Sequence, residues 1–244
     1  MKGVVLAGGL GTRFHPVTKV LNKHLLDVFD EPMVFYPIRT LARTGITDIT
    51  VVSGDDLDQF KRLLDGGHDL GVNLTYAYQE GSGGIADALA RAEEHINDDL
   101  CTVVLGDNIF QDDITPFVRA FEQQERGAKI LLKEVALEDA MRFGVAEVHD
   151  GRIVNVEEKP REPRSNLVQT GCYMYDRRVF DLIRKLQPSA RGELEITDLN
   201  NLYIAEGTMT YDVLQGWWTD AGTPASKLKA SILVALQKGV VFHQ

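Results

Sequence analysis

Four short apolar runs, at residues 3–6, 48–53, 74–78 and 101–105, are separated by amphipathic stretches at 32–44, 57–64 and 84–95. Strand-like and helix-like periods that alternate in this way describe successive βαβ units, and such units build a mostly parallel sheet with helices on its faces. Further along, residues 145–148 and 153–157 flank His149-Asp150-Gly151, whose Asp-Gly pair signals a tight hairpin. Strand-like runs follow at 170–175 and 210–214, and a helix-like one at 224–236. The sequence shows no internal repeat, low-complexity tract or flexible linker. It therefore predicts an α/β protein: a single-domain, Rossmann-like, three-layer α/β/α fold with a mostly parallel central sheet. The 244 residues, 44% of them hydrophobic, suffice for one large core.

The first strand-like run ends in a glycine turn. Gly8, Gly9 and Gly11 permit positive φ and close backbone approach to a ligand, so successive N–H groups can form an anion-binding nest. Arg13 and Lys23 add charge suited to a triphosphate. Two familiar motifs fail here: Gly11 is followed by Thr12-Arg13 where a P-loop needs Lys and then Ser or Thr, and Phe14 stands where a dinucleotide fingerprint needs its third glycine. The run at 101–105 ends in Gly106-Asp107, and ligands of open α/β sheets bind at carboxyl ends of strands. Asp107 is thus delivered to the edge of a site. Asp220, after Trp217-Trp218, is a second carboxylate, and the two together with phosphate oxygens suit Mg²⁺. Each alone reads equally well as a turn cap or a loop residue.

Gln79 closes the run at 74–78. Its amide can donate and accept at once, which matches the N3–H and adjacent carbonyl of a pyrimidine, and Gly84 would let the backbone approach the same base. An ordinary polar loop would also satisfy QEGSGG. Glu158 can accept hydrogen bonds from two sugar hydroxyls while Lys159 offers a point charge to phosphate; the competing reading is a surface ion pair near Arg161, Glu162 and Arg164. The acidic run Glu193, Glu195, Asp198 reads as scaffold or helix start.

The formal charge of −10 excludes a general nucleic-acid binder, which would carry a basic face. Cys101 and Cys172 lie in strand-like runs without metal-ligand spacing and read as inert core thiols. With no apolar run long enough to span a bilayer and Met1-Lys2 leading straight into a strand, the expectation is a cytoplasmic protein without membrane contact. The six histidines form no triad or H-E-x-x-H, and no serine sits in a nucleophile elbow. Covalent catalysis is not indicated.

GGLGTRFHP at 8–16, Lys23, then EPM, YP, LGDN at 105–108, EEKP at 157–160, RGELEITD at 191–198 and WTDAGT at 218–223 cover nearly the whole chain. In order and spacing this set resembles the sugar-1-phosphate nucleotidylyltransferases, most closely the glucose-1-phosphate thymidylyltransferases. The resemblance implies the nucleotide-diphospho-sugar transferase fold, with a nucleotide-binding half at about 1–110 and a sugar-phosphate-binding and lid half at about 111–244. It implies nucleotide contacts from Leu6, Gly8, Gly9, Gly11, Thr12, Arg13, Lys23, Gln79, Gly84 and Asp107. A sugar-phosphate pocket would be lined by Gly144, Glu158, Lys159, Thr170, Gly171, Tyr173 and Arg191, and the Mg²⁺ ligands would be Asp107 and Asp220. Arg13, Lys23, Asp107, Lys159 and Asp220 would carry catalysis.

Two departures from the family pattern stand out: Ser82 replaces a usual proline, and Gln169 replaces an apolar residue, either altering sugar preference or making contact through its backbone alone. The implied reaction is a single in-line displacement. The phosphate of glucose 1-phosphate, dianionic above its second pKa of ~6, attacks the α-phosphorus of dTTP and releases pyrophosphate without a general base. UTP in place of dTTP, another hexose 1-phosphate, or a non-catalytic sugar-nucleotide-binding subunit are the alternatives, and the retained Arg13, Lys23, Asp107 and Asp220 count against the last. Homo-oligomerisation stays open. Longer family members continue past the stretch matching 240–244 into a segment that helps build a regulatory site, so the expectation for this chain is purely competitive product inhibition.

Overall fold

The computed structural model describes residues 1–124 and 126–241. Of the terminal stretch at 240–244, to which the expectation about regulation is tied, 242–244 lie outside the described residues. The first part of the chain carries β1 (Lys2–Leu6), a ribbon of β2 (Asp27–Val28) and β3 (Glu31–Pro32), α1 (Phe35–Arg43), β4 (Asp48–Ser53), α2 (Leu57–Leu64), β5 (Asn73–Tyr78), α3 (Ile85–Ala90), α4 (Glu93–Ile96), β6 (Cys101–Leu105) and β7 (Asn108–Phe110). Then follow α5 (Thr115–Glu122), β8 (Ala128–Glu134), α6 (Leu137–Ala140), β9 (Gly144–His149), β10 (Arg152–Glu158), β11 (Leu167–Tyr175), α7 (Val179–Ile183), α8 (Ile196–Ala205), β12 (Met209–Val213), β13 (Trp218–Asp220) and α9 (Pro224–Gln237).

The main sheet runs β10-β9-β11-β6-β1-β4-β5, with β8 beside β11 and β12 beside β8. The four strands β5, β4, β1 and β6 are mutually parallel, as the βαβ alternation predicts. β11 then enters antiparallel to β6, and the Asp150-Gly151 turn joins β9 and β10 as an antiparallel pair. Helices cover both faces, which explains why β1 is apolar from Gly3 to Leu6 instead of alternating. Val4 and Leu6 pack into a cluster with residues of α3, α4, α7 and α8, whereas Val5 packs into a second cluster with α1, α2 and α5. Burying each such side chain is worth about 1.5–3 kcal/mol relative to exposure.

Three expected elements differ from those found by a break or by more than two residues at one end. The helix expected over 32–44 begins only at Phe35, because Glu31–Pro32 pairs with Asp27–Val28 as the small ribbon. The helix expected over 84–95 is broken into α3 and α4, with Gly84 outside it at φ 100°. β11 starts at Leu167 and its pairing with β8 shifts register between Gln169 and Tyr173. That shift releases Thr170 and Gly171 from the regular ladder.

Chain order places the site. From β1 the sheet grows through β4 to β5 on one side, and the chain then returns to add β6 on the other. Loops leaving β1 and β6 therefore diverge from a topological switch point, where open α/β sheets bind ligands. These are the glycine turn and Gly106-Asp107.

Candidate active site

Beyond β1, the N–H of Ala7 still donates to Val52 O at 2.7 Å before the chain leaves the sheet. Gly8 then passes so close to Gln79 that a Cβ would stand 2.4 Å from its Oε1. Gly11 turns with φ 62°, its carbonyl accepting from Phe14 N at 2.8 Å and from Thr18 Oγ1 at 2.7 Å. This brings the loop back over Lys23. The lysine is aimed by a short turn capped at Asn22, whose Oδ1 accepts from His24 N at 3.0 Å.

Lys23 Nζ meets Asp107 Oδ2 at 2.6 Å, with both side chains largely buried. Burial pushes the Asp107 carboxyl up, but Lys23, His24 and the hydrogen bonds from Lys23 and Asn108 outweigh it and hold the acid well below the usual range. Burial and then the Lys23 charge pull His24 down to about 3, so its imidazole is neutral. Asp220 behaves oppositely. Burial and the charge of Asp107 raise it to about 6, although Gly222 N donates to its Oδ1 at 2.7 Å. Gly222 separates the two acids: a Cβ there would lie 2.6 Å from Asp220 Oδ1 and 3.2 Å from Asp107 Oδ2.

Two confluent pockets meet at Asp107. One, of about 250 Å³, is lined by Leu6, Gly8, Gly9, Lys23, Gln79 and Gly84 among others; the second, of about 200 Å³, takes all seven expected sugar-phosphate residues, Gly144, Glu158, Lys159, Thr170, Gly171, Tyr173 and Arg191, together with Arg13 and Asp220. Gly11 and Thr12 fall outside both walls because they shape the turn instead. A larger hollow of about 500 Å³ behind Trp218 shares only Asp220 with the expected site residues.

In the second pocket, Lys159 adopts φ 47° and pairs with Glu158 Oε1 at 2.8 Å. Arg191 is clamped by both oxygens of Glu195 at 2.8 Å and stands 3.7 Å from Glu158 Oε1. Glu195, at the N-terminus of α8, holds Arg191 and lines the second pocket, whereas Glu193 lines both pockets. The ion-pair reading of Glu158 and Lys159 and their pocket-lining position are both present.

Three residues gain parts that sequence reasoning did not give them, although Asn108 and Thr197 sit inside motifs it singled out. Asn108 Oδ1 accepts from Gly171 N at 2.8 Å and Trp218 Nε1 at 2.7 Å, while its Nδ2 donates to Asp107 Oδ1 at 3.0 Å. One amide thereby ties β7, β11 and β13 around the carboxylate. Thr197 Oγ1 donates to Glu158 Oε2 at 2.7 Å and accepts from Gln169 Nε2 at 2.8 Å. Gln169 is therefore not a pocket residue acting through its backbone alone. Its side chain fills the space a Cβ on Gly144 would need, at 2.3 Å. One expectation is corrected: Gln79 Nε2 already donates to Gly84 O at 3.1 Å and to Asp87 Oδ2 at 2.8 Å, so the amide cannot both donate to and accept from a base.

An open α/β sheet, a glycine turn at its switch point, paired acids and two joined pockets are the architecture of a nucleotide-handling transferase. Residues 2–236 match the family model described as nucleotidyl transferase, and the chain belongs to that family. It is 42% identical over 239 residues to glucose-1-phosphate thymidylyltransferase of Neisseria meningitidis and 44% identical to that of Mycolicibacterium smegmatis, in each case covering 96% of this chain and 82% of the relative. A Bacillus anthracis crystal structure assigned to the same activity superposes with a TM-score of 0.92 at 47% identity, covering 100% of this chain and 98% of its own. A UDP-glucose pyrophosphorylase at 22% identity, TM-score 0.85, shares the fold. No helix among the described residues is long and apolar enough to cross a membrane.

Family members usually require a divalent metal. The donor chemistry fits one: Asp107 and Asp220 would offer hard carboxylate oxygens beside Gly222, and among the described residues no group of three or more His, Cys, Asp or Glu forms a protein-only cage. Two carboxylates completed by phosphate oxygens and water is a magnesium-like pattern.

Proposed function

We propose that this enzyme transfers the nucleotidyl group of dTTP to α-D-glucose 1-phosphate, giving dTDP-glucose and pyrophosphate. The observation that carries the reading is the meeting of two pockets at Asp107, one walled by the glycine turn and Gln79, the other by Glu158, Lys159 and Arg191. The relatives named for this activity supply the identity of the two substrates.

The nucleotide occupies the first pocket, built mainly from 1–110, and the sugar phosphate the second, built mainly from 111–244. Arg13 crosses to the second pocket and Glu193 to the first. Lys159 and Arg191 hold the attacking phosphate, Glu158 accepts from sugar hydroxyls, and the glycine turn with Arg13 and Lys23 takes the triphosphate. Mg²⁺, held by Asp107 and Asp220, would supply charge neutralisation on the phosphates. The nucleophile is already a dianion at neutral pH, its second pKa being ~6, so the protein's work is alignment of two anions and exclusion of their repulsion. Losing one preorganised contact of this kind typically costs ~2.7–4 kcal/mol of transition-state stabilisation.

A coupled pyrophosphate-release assay over a matrix of dTTP, UTP, ATP and several hexose 1-phosphates tests the reading. The highest kcat/KM is expected for dTTP with glucose 1-phosphate, and no pyrophosphate from that pair would overturn the proposal.

A further inference from the structure

Gln79 is only 4% exposed, and its amide is fixed by its neighbours. Nε2 faces Gly84 O at 3.1 Å and Asp87 Oδ2 at 2.8 Å, two groups that can only accept. Both amide hydrogens are consumed, and a flipped amide would set oxygen against oxygen twice. Oε1 is therefore the atom left for a ligand; it lies over Gly8, within the wall of the first pocket, and accepts from no protein group among the described residues. Asp87 sits on α3, one turn past the loop, with its side chain 14% exposed. Its other oxygen, Oδ1, takes Arg91 Nη2 at 2.6 Å. Gly83 packs so tightly on this carboxylate that a Cβ would be 2.7 Å from Oδ2.

We propose that Asp87 is a positioning residue that turns Gln79 into a pure hydrogen-bond acceptor, so that the pocket selects pyrimidine bases carrying an N3–H and rejects cytosine. The inference rests on the reading that this pocket takes the base of the nucleotide. Thymine and uracil bring a donor at N3, which Oε1 accepts. Cytosine brings a lone pair there and leaves two acceptors facing each other. The base carbonyls must then find donors elsewhere, since Gln79 has none to spare.

The test is steady-state kinetics of wild type, Asp87→Ala, Asp87→Asn and Arg91→Ala with dTTP, UTP, dCTP and N3-methyl-dTTP at saturating glucose 1-phosphate, with folding followed by circular dichroism. Wild type is expected to use dTTP and UTP and to reject dCTP and N3-methyl-dTTP by as much as ~10⁴-fold, the discrimination of a site built around one substrate N–H. Asp87→Ala should raise KM for dTTP about 10-fold and shrink the dTTP:dCTP ratio by at least as much, the loss of one charge-assisted bond. Its KM for glucose 1-phosphate should not move. Asp87→Asn keeps an acceptor oxygen beside Nε2 and should restore most of the ratio, and Arg91→Ala should leave the ratio intact. A merely structural Asp87 would weaken every nucleotide equally. An unchanged dTTP:dCTP ratio in folded Asp87→Ala, or equal wild-type use of dTTP and N3-methyl-dTTP, overturns the assignment while leaving the proposed reaction standing. Wild-type inactivity with both dTTP and UTP overturns the two together.

Discussion

Asp220 is carried at a cost to the fold. Its carboxyl is raised from 3.8 to about 6 by burial and by Asp107, so the relative stability it contributes is full below about pH 4 and lost as pH rises through about 6. Asp107 is lowered, so its ionised form, paired with Lys23, stabilises the native state at neutral pH and loses that contribution on acidification. The two acids therefore separate in a way that a common metal-ligand role alone would not predict. Asp220→Asn should abolish turnover yet raise the Tm of chelator-treated protein at pH 8, with the gain vanishing near pH 4. Asp107→Asn should abolish turnover and reduce stability at pH 8 by about 1–3 kcal/mol for the weakened buried pair, seen as a lower Tm. Thermal denaturation in a chelator, beside a Mg²⁺ titration of the rate, checks both; wild-type metal dependence in both variants would remove the assignment. Lys159 shows the same exchange of stability for position, because a non-glycine residue at φ 47° stores strain of order 1 kcal/mol. Lys159→Met should raise KM for glucose 1-phosphate about 10-fold, the loss of a charge-assisted contact, with little change for dTTP. Equal changes for both substrates would leave only its ion pair with Glu158.

Elements whose identity is local were legible, and those defined by partners far along the chain were not. β4, α2 and β6 have the bounds their periodicity predicts, because an apolar run buried on both faces or a stripe at helical spacing needs no distant information. β8, AKILLKE, went unread although Gly127, at φ 109°, turns the chain just before it; the segment becomes a strand by pairing with β11 and β12, dozens of residues away. α8 was read only at its start, since Asn200 is buried on it and breaks the apolar stripe. The site divides likewise. The motifs gave the pocket linings, but the relay behind Glu158 joins residues that meet only in the fold: Tyr175 Oη donates to Asn200 Oδ1 at 2.7 Å, Asn200 Nδ2 to Gln169 Oε1 at 3.0 Å, and Gln169 through Thr197 to Glu158. Burial keeps Tyr175 far above its usual pKa, so the relay has one direction and ends on the carboxylate. Gln169→Met should strand the Asn200 amide at a cost of ~1–3 kcal/mol. It should also raise KM for glucose 1-phosphate more than for dTTP, whereas a loss of Tm with both KM values unchanged would confine the relay to structure.

At the scale of the whole molecule, the pockets belong to different lengths of chain but not to separable bodies. β6 and β11 are hydrogen-bonded neighbours, with Tyr175 opposite Cys101 and Cys172 opposite Val104. The core cluster on one face mixes Val4, Leu89 and Ile96 with Tyr175, Leu199 and Tyr203. Separating residues 1–110 from 111–244 would break a central ladder and expose this cluster, so unfolding should be one cooperative transition. The two cysteines report it directly, because they lie on adjacent strands across the seam and burial pushes both thiols up to about 12. Buried neutral thiols are inert, so native protein should not react with a disulfide reagent and both thiols should become reactive together. Trp217 and Trp218 lie at the far side of the active site, where Trp218 pairs with Phe110. In a urea series at equilibrium, thiol reactivity and tryptophan fluorescence should give the same midpoint. Adding dTTP with Mg²⁺ should shift both midpoints upward equally, since a ligand that binds only the native state stabilises the whole cooperative unit. Cys172 reactivity and tryptophan fluorescence changing at lower urea than Cys101 reactivity would instead mean that the 111–244 part opens on its own, and that the shared sheet does not couple the pockets.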